Sequence, residues 1–280
     1  MATMRGAVLT APYDMRIEEM PRPEVDGDDI VILKNEGLGI CGSNLHWWNG
    51  GGSATRLLQF PMIGGGGHEY SGVVADVGGN IGYYSLWFAT LGVRMGRVYT
   101  FEPAPEPLRL LKENMRLNDV GNVDIIECAC GDHVGNVEFF IANHHHSSSL
   151  IAEWAGNQAH TISVSMTTLD VFFAAESGRK APAFIKIDIE GGGVFALPGC
   201  RRILSENRPF VLIESHTPNE DGAISKVLID LAYRGYRLNN REWVRKPQAT
   251  HPDQEGVWGT LLLVPQELEE RISPRLMSAS

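Results

Sequence analysis

Cysteine is scarce in this sequence, and what there is does not form a recognisable pattern. Four cysteines occur in 280 residues, at Cys41, Cys128, Cys130 and Cys200, and no two of them make a CxxC pair. This spacing excludes a disulfide-stapled secreted scaffold and a four-cysteine zinc lobe. It favours a reducing compartment, so we expect a cytoplasmic protein.

Long apolar runs and an excess of basic residues are also missing. The longest apolar runs, such as 257–264, fall far short of the roughly 18 residues that span a bilayer. Residues 1–10 lack a basic stretch followed by an apolar one, so we expect no secretory signal. Acidic residues outnumber basic ones by 34 to 24, for a net charge of −10. Such a chain is a poor general ligand for nucleic acid or anionic membrane, and we expect neither as a partner.

What is present is a globular composition, 43% hydrophobic and 21% charged, arranged in two textures. Residues 1–72 are rich in glycine, proline and β-formers, with predicted strands at Met4–Leu9, Met15–Glu19 and Ile30–Glu36. Residues 73–280 instead alternate short apolar segments with amphipathic ones. We therefore predict a β segment over 1–72 and a separate domain over 73–280.

The second region predicts an α/β fold with a doubly wound, mostly parallel, Rossmann-like sheet. Its predicted strands are Val73–Val77, Arg97–Phe101, Val123–Cys128, Phe184–Ile189 and Phe210–Ile213. Its predicted helices are Tyr83–Leu91, Pro105–Leu117, Val194–Leu204 and Ile224–Tyr233. Tyr236–Leu238 and Trp258–Val264 are predicted as closing strands that form an antiparallel edge.

A glycine-rich turn between the first strand and the first helix of this region predicts a nucleoside-binding site. The turn reads Asp76-Val77-Gly78-Gly79-Asn80-Ile81-Gly82. Glycines there let the backbone approach a ligand, and a helix N-terminus offers free N–H groups. Glu102 stands at the end of the next strand, twenty residues after Gly82, where a carboxylate can accept both ribose hydroxyls.

The identity of that nucleoside follows from what the turn contains. The dinucleotide pattern GxGxxG is absent, and Asp76 stands two residues before the first glycine. A carboxylate there suits an amine-bearing ligand better than a pyrophosphate. The turn thus favours S-adenosylmethionine over NAD.

The fourth predicted strand carries three charges in an apolar setting. Lys186, Asp188 and Glu190 alternate with isoleucines, so a period of two places them on one face near the ligand-binding edge. Buried charges are costly unless paired or used, so either a catalytic role or an internal Lys–Asp ion pair fits. His216, two residues after Glu214, is a candidate general base, with a plain loop histidine as the alternative.

Several of these stretches, in this order, resemble the FkbM family of methyltransferases over about residues 73–265. The stretches are 76–84, Phe101-Glu102-Pro103, Cys130-Gly131-Asp132, Ser148-Ser149-Leu150, Thr168-Leu169-Asp170, 185–191 and Ile213-Glu214. The family is similar to other class I S-adenosylmethionine enzymes and is associated mainly with O-methylation.

The resemblance assigns the candidate cofactor residues. It implies that Asp76, Gly78, Asn80 and Gly82 line the methionine side, that Glu102 holds the ribose and that Asp132 lies near the adenine. Their motif neighbours Gly79, Pro103 and Gly131 join the candidate set. The implied acceptor is a hydroxyl on a small molecule or glycan, deprotonated by His216 or Asp188, with Lys186 and Glu190 as further candidate catalytic residues.

The chain also departs from the family pattern. Glu190-Gly191-Gly192-Gly193 stands where Glu-Gly-Ala-Glu is usual, so a second carboxylate is missing. Gly79 replaces a usual Ala, and Ala104 a usual Asn. A catalytically impaired fusion protein that still binds cofactor is therefore one alternative.

Residues 1–75 resemble a different family, the zinc-dependent medium-chain alcohol and polyol dehydrogenases, whose first part is a GroES-like β domain. The matching stretches are 39–46, 61–63 and 67–72. The resemblance implies catalytic-zinc positions at Cys41, His68 and Glu69, and so a zinc-dependent oxidoreductase as the second alternative. The nicotinamide-binding GxGxxG is absent, so we expect a partial GroES-like segment and no bound metal.

Overall fold

The structure is a computed structural model. It describes residues 3–11, 14–21, 38–39, 62–63, 69–70, 72–89, 96–142, 148–155, 160–239, 242–246 and 259–269. Contacts within the chain divide it into two units. One comprises 1–72 with 94–96, and the other comprises 73–93 with 97–280.

The first unit contributes short antiparallel strands. β1 (Thr3–Ala11) pairs with β2 (Asp14–Pro21) and with β4 (Met62–Ile63), and β3 (Leu38–Gly39) pairs with β5 (Glu69–Tyr70). β1 and β2 cover the predicted strands at Met4–Leu9 and Met15–Glu19. The predicted strand at Ile30–Glu36 lies outside the described residues.

The second unit is built on a mixed sheet of eight strands among the described residues. Its order across the sheet is β15-β14-β16-β13-β12-β6-β7-β8. The strands are β6 (Val73–Val77), β7 (Arg97–Phe101), β8 (Val123–Ile126), β12 (Phe184–Ile187), β13 (Phe210–Ser215), β14 (Tyr233–Asn239), β15 (Glu242–Lys246) and β16 (Gly259–Pro265). The five neighbouring strands β8, β7, β6, β12 and β13 run parallel to one another, which confirms the predicted doubly wound α/β fold.

The chain changes direction across the sheet at β6. From β6 it winds outward to β7 and β8, then returns to the other side of β6 as β12 and β13. The loops after β6 and β12 therefore diverge and leave a crevice at the carboxyl ends of these strands, where open α/β sheets bind ligands. The glycine turn and the Lys186–Glu190 stretch both lie at this switch point.

A smaller sheet lies beyond β8, and no part of it was predicted. β9 (Ala129–Cys130) runs parallel to β11 (His160–Thr167), which pairs antiparallel with β10 (Gly135–Ile141). Its buried side chains, among them Phe139, Val164 and Met166, form a hydrophobic cluster with Ala104 and Ala129.

The helices pack on the apolar faces of the main sheet, except the third, which contacts β10 of the smaller sheet. They are α1 (Tyr83–Trp87), α2 (Pro105–Leu117), α3 (Ala152–Ala155), α4 (Leu169–Phe172), α5 (Gly193–Ala196), α6 (Arg201–Glu206) and α7 (Pro218–Asp230). Thr168 and Thr217 cap α4 and α7 by accepting hydrogen bonds from the backbone N–H groups of Val171 and Glu220. Among the described residues no helix has the length and apolarity that crossing a membrane requires.

Helix boundaries show where the sequence prediction was right and where it was wrong. α2 has the predicted bounds, because Pro105 begins it and Leu108, Leu111 and Met115 make a buried stripe. The predicted helix Val194–Leu204 is wrong as one element. It is split into α5, a 3₁₀ turn at Pro198–Cys200 and α6, since Pro198 has no N–H to donate.

Several other element bounds also need correction. The predicted helix Ile224–Tyr233 begins earlier, at Pro218, and ends at Asp230, with Tyr233 already in β14. The predicted antiparallel pair near the C-terminus is confirmed, but β16 lies between β13 and β14, and the unpredicted β15 forms the edge.

Two predicted parallel strands are shorter than expected. Strand Phe184–Ile189 ends at Ile187, so Asp188 and Glu190 lie in the following turn and do not extend the alternating face of Lys186. Strand Val123–Cys128 ends at Ile126, and Cys130 pairs in the smaller sheet.

Candidate active site

The glycine turn after β6 packs directly on the loop after β12. A Cβ atom added to Gly78 would lie 1.9 Å from the backbone oxygen of Asp188, and Gly78 has a φ of +80°. Both facts demand glycine at this position. The predicted turn therefore brings the glycine segment and the charged segment together at the crevice.

Glu102 closes the turn from the end of β7. Its Oε2 accepts a hydrogen bond of 2.8 Å from the backbone N–H of Asn80, which has a φ of +47°, and its Oε1 accepts one of 2.8 Å from Ala104 N–H. Burial nevertheless raises the pKa of Glu102 to about 7, against the lowering effect of these two bonds. The carboxylate faces the cavity with lone pairs left to accept further hydrogen bonds.

Asp76 lies under the turn and does not line the cavity. It has no exposed surface, and its Oδ2 accepts a 2.6 Å hydrogen bond from Ser85 Oγ. Lys186 Nζ lies 3.3 Å from Asp76 Oδ1 and donates to the backbone oxygen of Gly78 at 2.8 Å. Burial lowers the pKa of Lys186, but Asp76 and Asp188 outweigh it and raise that pKa above its usual value. Lys186 is thus a buried cation that ties Asp76 to the turn.

A cavity opens above these residues, with about 730 Å³ of empty space when its open mouth is included. One end carries Glu102 and Asn80, the other Asp188 and Glu190. The remaining lining residues are Val77, Gly78, Phe101, Pro103, Cys128, Ala129, Cys130, Phe139, Ser148, Leu150 and Ile189.

Other predicted cofactor residues support the cavity from behind. A Cβ on Gly79 would meet Thr100, one on Gly82 would meet Leu111, and one on Gly131 would lie 2.2 Å from Met166 sulfur. The Asp132 carboxylate lies 2.7 Å from His133 Nδ1 and is partly exposed. None of these four residues is among the lining residues of the cavity.

The predicted catalytic residues form a charged cluster with Glu214. Donor atoms of Asp188, Glu214 and His216 all lie within 4.8 Å of one another. Lys186 reaches the cluster through Asp188 Oδ2, at 3.6 Å. Oxygen and imidazole donors at this spacing could hold a divalent cation, but a His216 ring that carries a proton on each nitrogen has no lone pair with which to bind one.

Three carboxylates surround the His216 ring. Nε2 lies 3.6 Å from Glu214 Oε1 and 3.7 Å from Glu190 Oε2, and Nδ1 lies 3.7 Å from Glu220 Oε2. Burial lowers the pKa of His216, yet the carboxylates prevail and raise it to about 10. At neutral pH the ring therefore carries a proton on each nitrogen.

The net pKa shifts of Asp188 and Glu214 have opposite signs, although the His216 imidazolium lowers the pKa of both. Burial and the charge of Glu214 raise the pKa of Asp188 above its usual range, although Lys186 opposes the shift. The bond to His216 lowers the pKa of Glu214 despite partial burial. Of this pair, Asp188 is the more ready proton acceptor near neutrality.

Glu190 is held in a strained conformation at the cavity mouth. Its φ is +51°, uncommon for a residue with a Cβ, and its backbone oxygen accepts a 2.6 Å hydrogen bond from Ser149 Oγ. Trp154 Nε1 donates to Glu190 Oε2 at 2.5 Å, and the Trp154 ring meets His216 edge to face. Ser149 thereby holds the backbone of Glu190, and Trp154 holds its side chain.

Some residues of this site received no role from the sequence. Glu214 was noted only as part of a motif, and Glu220, Trp154 and Phe139 were not singled out. An acid at the end of a predicted strand could have identified Glu214. Phe139 is brought to the site by the small sheet, Trp154 by α3 and Glu220 by the start of α7.

The side chains at the predicted zinc positions of the N-terminal segment are not among those that the structure describes. Cys41 and His68 lie outside the described residues, and only the backbone of Glu69, in β5, is described.

Comparison with known proteins links each part of the chain to a different group. A model described as the methyltransferase FkbM domain matches residues 76–238, more than half of the chain. The crystal structure of an FkbM methyltransferase from Methylobacillus flagellatus KT is similar with 22% identity and a TM-score of 0.47, over 69% of this chain and 43% of that one.

The N-terminal region matches sorbitol dehydrogenases. The enzyme of Bos taurus is 42% identical over 71 residues, which is 25% of this chain and 19% of that enzyme. The enzyme of Bacillus subtilis is 32% identical over 83 residues, or 30% of this chain and 23% of that enzyme. The chain thus spans about a fifth of the length of these two relatives.

Proposed function

Because this chain belongs to the FkbM methyltransferase family, we propose that it transfers a methyl group from S-adenosylmethionine to a hydroxyl of a small molecule or sugar. Methyl transfer is the reaction class of the family; the cofactor and the acceptor are our inference. The observation that carries it is Glu102, a buried carboxylate at the cavity wall beside a turn that demands glycine.

The described residues fit a nucleoside with a cationic amino-acid tail. Glu102 would accept the ribose hydroxyls, and Gly78 and Asn80 would approach the tail. The apolar side chains of Phe101, Phe139 and Leu150 would enclose the adenine. Asp76 and Lys186 would support the turn from below, since the Lys186 ammonium donates to the Gly78 carbonyl.

The cofactor supplies an electrophilic methyl group on a sulfonium, and the protein supplies positioning and a proton acceptor. Asp188 lines the cavity, and its raised pKa makes it a better match to a hydroxyl proton near neutrality than an ordinary aspartate. His216 is already protonated at neutral pH, so we assign the base to an Asp188 carboxylate oxygen. His216 would keep Glu214 ionised while Asp188 takes up the proton.

The charge at the cavity mouth bears on the acceptor. Asp188, Glu190 and Glu214 are partly exposed carboxylates, whereas Lys186 and His216 are nearly buried. An anionic acceptor would meet net repulsion here. A neutral polyhydroxyl compound fits better than a phosphate or carboxylate substrate.

The sorbitol dehydrogenase match favours a second candidate, zinc-dependent alcohol oxidation. Cys41, His68 and Glu69 would be its metal positions. Such a reaction also needs a nicotinamide carrier, and the glycine turn at 76–82 is not a dinucleotide pattern. We therefore rank it second, ahead of a fusion that binds cofactor without turnover.

Calorimetric titration with S-adenosylhomocysteine, with NADH as the control ligand, separates the methyltransferase from the oxidoreductase. Saturable one-to-one binding of S-adenosylhomocysteine without NADH binding supports the methyltransferase. NADH binding together with stoichiometric zinc supports the oxidoreductase. No S-adenosylhomocysteine binding by the folded protein would overturn the proposed function.

A further inference from the structure

Glu220 is a buried acid that stands outside the recognised motifs. It lies in the first turn of α7 with 1% of its surface exposed. A glutamate at this position of a helix commonly bonds back to the N–H of the capping residue, here Thr217. Glu220 instead accepts hydrogen bonds from His216 N–H at 2.8 Å and from Gly193 N–H at 2.9 Å. One carboxylate therefore joins the loop after β13 to the start of α5.

The same carboxylate explains why residue 193 is glycine. A Cβ on Gly193 would lie 2.7 Å from Glu220 Oε1 and 3.3 Å from Ile213 Cδ1. The space for a side chain at 193 is thus taken by the carboxylate of Glu220.

Glu220 also faces the imidazole of His216. The groups around that ring are Asp188 and Glu190 after β12, Glu214 at the end of β13, and Glu220 on α7. The side chain of Glu220 is 1% exposed, compared with 28% for Asp188, 23% for Glu190 and 40% for Glu214. Glu214 and then Glu220 make the largest contributions that raise the pKa of His216, and of these two Glu220 is the less screened by solvent.

We propose that Glu220 is a positioning residue on α7 that holds His216 as an oriented imidazolium beside Asp188 and Glu214. The inference rests on the proposed methyl transfer, for which Glu220 touches no reacting atom. With His216 charged, Glu214 stays ionised and Asp188 remains the group that takes the acceptor proton.

The first test is the pKa of His216, measured by NMR on histidine-labelled protein and assigned with His216→Gln. We expect Glu220→Gln to lower this pKa by about one unit or more, because an opposite charge within 4–6 Å shifts a pKa by 1–3 units. The amide keeps the size of the side chain and one hydrogen-bond acceptor. An unchanged pKa in a folded variant would overturn the proposal.

Asp221→Asn is the matched control. Asp221 is the next residue of α7, is also buried, and accepts from Ser215 Oγ while facing Arg237. Its substitution removes a buried charge from the same helix turn but from the other side. We expect a loss of stability like that of Glu220→Gln with the pKa of His216 unmoved. An equal pKa shift in both variants would mean that a general disturbance of α7, and not the loss of the Glu220 charge, changes the pKa of His216.

The second test moves the carboxylate to position 193, where the carboxylate of Glu220 takes the space of a side chain. Gly193→Glu alone should lower kcat and stability, because its side chain meets Glu220. Glu220→Ala alone should lower kcat with little change in the KM for S-adenosylmethionine. The double variant Gly193→Glu/Glu220→Ala should recover turnover above either single variant, a coupling that simple helix capping does not predict. Losses that merely add would contradict the proposal.

S-adenosylhomocysteine titration separates the two levels of inference. All of these variants should bind it as the wild type does, since Glu220 and Gly193 do not line the cavity. If the wild type does not bind S-adenosylhomocysteine, the proposed function fails. The pKa comparison still tests whether Glu220 holds His216 as an imidazolium.

Discussion

Glu102 shows how one residue couples burial to ligand binding. Its pKa of about 7 lies above the usual 4.5, so the folded protein binds more protons than the unfolded chain between these values. The contribution of Glu102 to stability is therefore full below about pH 4.5 and is lost as pH rises through about 7. A ligand whose two hydroxyl groups donate hydrogen bonds to the carboxylate favours the ionised form of Glu102 instead.

The affinity for S-adenosylhomocysteine should consequently depend on pH. Below about pH 7 the free protein must lose a proton from Glu102 to bind, so we expect the Kd to rise as pH falls from 8 to 6, by up to about tenfold per unit at the acid end. Calorimetry at pH 6, 7 and 8 measures this. Glu102→Gln should bind more weakly with a flat profile; the same slope in that variant would assign the titration to another group.

Single site residues could be predicted from the sequence where a short local pattern marks them. Glu102, Gly78 and Lys186 could be found from the sequence, because strand ends and glycine turns are local patterns. The placement of Asp76 beneath the turn could not, since it depends on Ser85 and Lys186 meeting from separate elements. Glu220 escaped for the same reason: only the packing of α7 against α5 gives its carboxylate partners.

At the scale of elements, the turn after β6 and the turn after β12 behave as one unit. Gly78→Ala would place a Cβ 1.9 Å from the Asp188 carbonyl and force a φ of +80° on alanine. We expect a loss of about 2–4 kcal/mol in the free energy of unfolding, together with weaker S-adenosylhomocysteine binding.

Chemical denaturation and the calorimetric titration check this together. Gly121→Ala is a suitable control, because a Cβ there meets nothing within 4 Å. A Gly78→Ala protein with wild-type stability and affinity would show that the two turns are free to separate.

Element boundaries were predicted well where capping chemistry is local and poorly where tertiary contacts decide. Pro105 and the buried leucine stripe defined α2 from its sequence alone. β12 was predicted two residues too long, because the isoleucine alternation continues through Ile189 while the backbone turns at Asp188 to meet Gly78. The smaller sheet was missed because its strands pair over distances that no short pattern reveals.

At the scale of the whole molecule, the division into two units leads to a proposal about domains. The contact boundary falls between Gly72 and Val73, and the described cavity residues all belong to the second unit. We expect a chain of residues 73–280 to fold and to bind S-adenosylhomocysteine with a Kd within about threefold of the full chain. Calorimetry on both proteins tests it; a folded fragment without binding would give residues 1–72 a part in the cofactor site.

The contact between Gly78 and the Asp188 carbonyl has a consequence for redesign and for evolutionary drift. The backbone that would receive the cofactor and the backbone that carries the proposed base are in van der Waals contact, with no space left between them. Neither loop can be lengthened or re-angled alone. Changes in acceptor preference would have to come from Trp154, Glu190 and the small sheet, while the contact between the turn after β6 and the loop after β12 stays unchanged.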